Sequence, residues 1–111
     1  MRRFAIKNDL HRNRPAEAWL EYDETKREFH VTVSLDADTT LLPLTIEAFA
    51  QRGEFEIGPE WSLALVRERI GPPSRQNIGA ILKNIGIEYY DEFPIVLASQ
   101  GRCSQDDCYI E

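Results

Sequence analysis

Sulfur is nearly missing from this chain, with two cysteines and one methionine among 111 residues. Cys103 and Cys108 stand with four residues between them, and the only histidines, His11 and His30, lie more than seventy residues upstream. A zinc site needs about four ligands, usually in paired spacings such as C-x₂-C. The sequence therefore predicts two free thiols in a reducing compartment and no metal. Long hydrophobic runs are missing too. Stretches such as Ile95 to Ala98 hold a handful of apolar residues, against the ~20 that a spanning helix requires. No apolar stretch of signal-peptide length follows the first basic residues, so the expectation is a cytoplasmic chain with no membrane association. Dinucleotide-binding, P-loop, zinc-protease and nucleophile-elbow motifs are all absent from the sequence, which predicts no catalytic residue and no cofactor. Neighbouring carboxylates at Asp23-Glu24, Asp91-Glu92 and Asp106-Asp107 fit helix caps and solvated turns better than acid/base pairs.

What is present is a charged, moderately apolar chain of one-domain size. Apolar residues make up 42% and charged residues 29%, with a net charge of −6, a balance that suits a folded domain and repels polyphosphate. The charge is uneven. Residues 1–14 carry Arg2, Arg3, Lys7, Arg12 and Arg14 against Asp9 alone, a balance of +4 that leaves −10 for the rest. Residues 1–111 thus read as a single domain with a basic N-terminal arm at about 1–14, weakly ordered or docked on an acidic partner or phosphate.

Arg3 to Lys7 begins a short strand. Ala18, Leu20 and Tyr22 alternate with Trp19 and Glu21; after a polar turn, Phe29, Val31, Val33 and Leu35 alternate with His30, Thr32 and Ser34. Period-2 alternation on both sides of a turn predicts a hairpin with His30 on its wet face. Leu41 to Ala50 reads as a short helix capped by Thr45, with an irregular extended segment as the alternative, and is ended by Arg52-Gly53. Pro59 opens a helix to Ile70 that Gly71-Pro72-Pro73 stops. A further helix starts at Ser74 and ends near Asn84 or Ile85, with Gly86 at its C-terminal turn. Ile78, Ile81, Leu82 and Ile85 form its single apolar stripe. The next starts at Asp91, buries Phe93, Val96 and Leu97, and ends at Gly101. Cys108-Tyr109-Ile110 supplies a last strand. The fold class is α+β: a small antiparallel sheet, from the N-terminal hairpin and a C-terminal strand, packed with three or four short helices.

The helix from Pro59 carries apolar residues on two faces. At 100° per residue Leu63, Val66 and Ile70 cluster within about 60°, while Trp61, Ala64 and Leu65 fall on the roughly opposite side. Either the helix is buried all round, or Trp61 and Leu65 form a face that meets a partner protein. Two helices joined near Gly86 also have the outline of a helix-turn-helix, the alternative reading as a DNA-binding regulator. Against it, the second helix holds Asp91 and Glu92 in its first turn and no Lys or Arg, which argues against specific nucleic-acid binding.

The order of segments resembles the small N-terminal subdomain of HipA-family Ser/Thr kinase toxins. Trp19-Leu20-Glu21-Tyr22 and Phe29 to Leu35 stand for its hairpin, Pro43-Leu44-Thr45 through Gln51-Arg52-Gly53 for its second element, and Asp91-Glu92-Phe93-Pro94-Ile95-Val96-Leu97 through Gly101 for its closing helix. The family's closing strand usually carries a Gly-Ala pair where this chain has Asp106-Asp107-Cys108, and Arg67 to Gln76 matches no family motif. The kinase body is absent, so no catalytic residue carries over. The resemblance implies a non-enzymatic interaction module, an antitoxin or accessory subunit in a bacterial toxin–antitoxin system, docking on a separately encoded kinase-like chain.

Overall fold

A computed structural model describes residues 1–71, 78–86 and 90–111. Alternating sequences fold into the strands that their pattern predicts: β1 (Arg2–Asn8), β2 (Ala18–Asp23) and β3 (Glu28–Val33). β4 (Glu56–Ile57) and β5 (Cys108–Ile110) complete a five-stranded antiparallel sheet in the order β4-β3-β2-β1-β5. The polar turn closes the hairpin as its residues dictate, with Asp23 accepting hydrogen bonds from the backbone of Thr25 and Lys26. Four helices accompany the sheet: α1 (Leu44–Gln51), α2 (Pro59–Ile70), α3 (Ile78–Asn84) and α4 (Glu92–Ser99).

One face of the sheet holds the core. Ile6, Ala18, Leu20, Tyr22, Phe29, Val31, Val33, Ile57 and Ile110 point into it, and Ile46 and Ala50 of α1, Leu65, Val66 and Ile70 of α2, and Ile95 and Val96 of α4 meet them. The Phe93 ring stacks on Tyr22, centroids 4.0 Å apart and planes 8° from parallel. This contact ties α4 to the middle strand of the sheet.

Several boundaries follow from local chemistry. Pro59 sits in the first turn of α2, where its missing N–H costs nothing. Asp91 caps α4 by accepting from the Phe93 N–H. The chain leaves α4 through Gln100 and Gly101, both at positive φ, and leaves α3 at Gly86 with φ of 79°. The expected start of α3 at Ser74 lies outside the described residues. α1 begins one residue before Thr45, with Pro43 at the cap position and no side-chain cap. The Thr45 hydroxyl instead donates to Glu68 of α2.

Three expectations are corrected. The basic arm is no arm: Arg2–Asn8 is a strand paired to β2 on one side and, over Ile6–Asn8, to β5 on the other. Its cations are held, Arg2 within 5.4 Å of the Phe4 ring and 5.2 Å of the Phe93 ring, Arg3 within 4.4 Å of the Trp19 ring. In α4, Ile95 and Val96 are the buried residues, with Phe93 and Leu97 only partly so. In α2 the buried stripe is Ser62, Leu65, Val66 and Ile70. The hydrophobic pattern misplaces that stripe because a serine stands where an apolar residue would mark it. Ser62 is fully buried because its hydroxyl donates to the Ile57 carbonyl at 3.0 Å, which removes the cost of an orphaned polar group.

Candidate functional site

Trp61 and Leu65, expected to share a docking face, are separated by the structure. Leu65 is a core residue at 5% exposure, whereas Trp61 is 56% exposed. Leu65 is therefore withdrawn from the docking surface, and the Ser62-centred stripe is the reason. Thr45–Glu68 contact at one end and Phe49–Trp61 contact at the other show α1 and α2 lying antiparallel. Trp61 stands at the start of α2 with the Phe49 ring edge-on at 5.7 Å. Arg52, just past the end of α1, places its guanidinium 4.6 Å from the centre of that Phe49 ring and pairs with Glu54 at 3.2 Å. An exposed indole is thus fixed by an aromatic neighbour that is itself held by a cation.

The far end of α2 carries a polar cluster that the sequence did not single out. Arg69 lies on the same helix face as Leu65, Val66 and Ile70, and its side chain is only 10% exposed. The guanidinium donates to both carboxylate oxygens of Asp106 at 2.8 Å, to the Cys108 carbonyl at 3.0 Å and to the Gly101 carbonyl. Burial pushes the Asp106 carboxyl upward, but the Arg69 hydrogen bonds and the Cys108 N–H outweigh it and hold the group below the usual carboxylate range. Asp106, expected in a solvated turn, is instead the anion of a partly buried bidentate pair. The outer edge of β5 is covered at the same place, since Ile110 N–H donates to the Gln100 carbonyl at 2.8 Å. A sheet edge blocked by a side chain and a helix end does not invite a further strand.

Burial pushes the Cys108 thiol up to about 12, with the Asp106 carboxylate adding to the effect. It is buried, while Cys103 is partly exposed. Ellman's reagent on the folded protein should titrate Cys103, with Cys108 reacting only after denaturation, because thiolate is the reactive form. Equal rates for both thiols in the native state would contradict this. Among the described residues no group of three or more His, Cys, Asp or Glu is placed to hold a metal ion, and no helix is long and apolar enough to cross a membrane.

The N-terminus of α4, where a recognition helix would meet DNA, is engaged within the fold. Asp91 pairs with Arg27 of the hairpin turn at 3.0 Å, and Glu92 accepts from Arg67 of α2 at 3.0 and 3.1 Å. Both carboxylates are mostly covered, at 23% and 19% side-chain exposure. His30 lies on the open sheet face, 3.6 Å from Glu28 of the same strand. No protein-family model matches the chain, and no curated protein or solved structure matches it either.

Proposed function

We propose that this chain is a non-enzymatic protein-interaction module that docks on another protein through Trp61. One observation carries the reading: a tryptophan left 56% exposed yet packed edge-on against Phe49, whose own ring carries the Arg52 guanidinium. An apolar ring in water gives up hydration free energy that a partner recovers on covering it. Holding the ring before contact lowers the ordering cost of binding. Tryptophan and arginine are also the side chains most enriched among interface hot spots. The order of segments supports a narrower form, in which the partner is a HipA-like kinase body and the chain is its antitoxin or accessory subunit.

A photo-crosslinking benzoylphenylalanine at position 61, expressed in the native host, tests this. The expected result is one protein adduct at position 61 that is missing when the same group replaces Glu24 in the exposed hairpin turn. An adduct containing a kinase body would support the narrower form. Adducts no different from those at position 24 would overturn the docking role of Trp61.

A further inference from the structure

The outer surface of the α1–α2 pair carries a second large apolar side chain besides Trp61. Leu44, the first residue of α1, is 79% exposed. The two contacts that set the helices antiparallel, Thr45–Glu68 and Phe49–Trp61, bring Ala48 of α1 opposite Ala64 of α2. Ala48 is exposed and Ala64 half-buried. The alanines leave a shallow groove, with Leu44 at one end and Trp61 at the other. Phe49, which meets Trp61, follows Leu44 by little more than one turn, so the two anchors stand about 8 Å apart along the helix axes.

Charge on this surface is unbalanced. The arginines of the two helices and of the turn after α1 are each matched by a carboxylate: Arg52 by Glu54 at 3.2 Å, Arg67 by Glu92 at 3.0 Å and Arg69 by Asp106 at 2.8 Å. Neither helix contains a lysine. Glu60 and Glu68 are exposed, and among the described residues neither has a cation within ion-pair range. Glu60 adjoins Trp61, and Glu68 accepts from Thr45 beside Leu44. One unanswered carboxylate therefore stands at each end of the groove, the two about 12 Å apart along α2.

We propose that this groove binds a basic amphipathic helix of a partner protein. Its apolar residues cover Leu44 and Trp61, and two of its cations, about two turns apart, pair with Glu68 and Glu60. The proposal rests on the reading of Trp61 as a docking residue and adds the chemistry of what docks. A helix suits the site because the alanines let a third helix approach the pair to the usual 8–10 Å or so between axes. Apolar residues at i and i+4 or i+7 of such a helix bracket the spacing of the two anchors. The charge decides between partners. An acidic segment would bring its carboxylates against Glu60 and Glu68 with no free cation to answer them, whereas a basic one supplies the missing charge and is favoured most at low salt.

Two synthetic helical peptides of about 18 residues test it, sharing one leucine face and carrying either lysine or glutamate at the flanking positions. Each is titrated into the isotope-labelled full chain at about 20 mM salt and followed by NMR. The lysine peptide should shift the Trp61 indole and the amides of Leu44, Ala48 and Ala64, and should bind at least about tenfold more tightly than the glutamate peptide. Reversing both carboxylates, Glu60→Lys with Glu68→Lys, should invert that preference, with circular dichroism melts verifying that the variant is folded. Equal affinity for both peptides would overturn the proposal, as would lysine-peptide shifts confined to other surfaces or no binding of that peptide at about 1 mM. Each of these outcomes removes the basic helix alone. The docking role of Trp61 is decided separately, by the adducts at position 61.

Discussion

Replacing Arg69 by methionine is expected to cost about 3 to 5 kcal/mol of folding stability, a large share of the ~5 to 15 kcal/mol available to a domain. Methionine fills much of the arginine's volume, so the loss comes from what is left behind. Asp106 keeps its charge in a partly buried place, and the carbonyls of Gly101 and Cys108 lose their donor. Urea denaturation of wild type and variant measures the difference directly. A change under about 1 kcal/mol would show that water replaces the guanidinium and that the cluster is incidental. The pH dependence adds a second readout with a defined sign. Asp106 is held below its ordinary value in the folded chain. The stability it contributes is therefore complete above the unfolded-state value of about 3.9 and is lost as pH falls through the lower folded-state value. Asp9, Asp23 and Asp38 are lowered as well, so the wild-type curve alone does not isolate Asp106. The difference between wild type and Arg69→Met does, and it should shrink as the pH drops below about 4.

Leu65→Ala is the second large effect, about 2 to 5 kcal/mol of destabilisation, because Leu65 is 5% exposed and packs within the core. Trp61→Ala, four residues away on the same helix, should cost about 1 kcal/mol, since more than half of that side chain already faces water. Parallel thermal melts check the contrast. Equal losses would mean that Trp61 is a core residue, and the docking role would fall with it.

The strands and helix ends were largely legible in the sequence because their causes are local. The alternation in Phe29 to Val33, the proline that opens α2, the Asp91 cap and Gly86 each act through their own backbone or nearest neighbours. Long-range facts were not legible. The two-residue β4 exists because Val31 and Thr32 pair with Ile57 and Glu56, and nothing in so short a segment announces a strand. The place of β5 beside β1 depends on how the chain returns after α4. The buried face of α2 was misread for a specific reason. Its members include Ser62 and Arg69, polar residues whose burial is repaid by partners on β4, after α4 and before β5. A pattern of hydrophobicity counts both as surface. Correctly placing Ser62 inward would have put Leu65 in the core, left Trp61 outside and drawn Arg69 toward Asp106.

Trp61 is left outside the core by the fold, and its proposed use is as the anchor for a partner. Once the protein crosslinked at position 61 is identified, its affinity for wild type and for Trp61→Ala, measured by titration calorimetry on variants shown to be folded, tests that claim most directly. The expected result is a loss of about 2 kcal/mol or more in binding, roughly thirtyfold in the dissociation constant, with the melting temperature nearly unchanged. Unchanged affinity in a folded Trp61→Ala protein would contradict it.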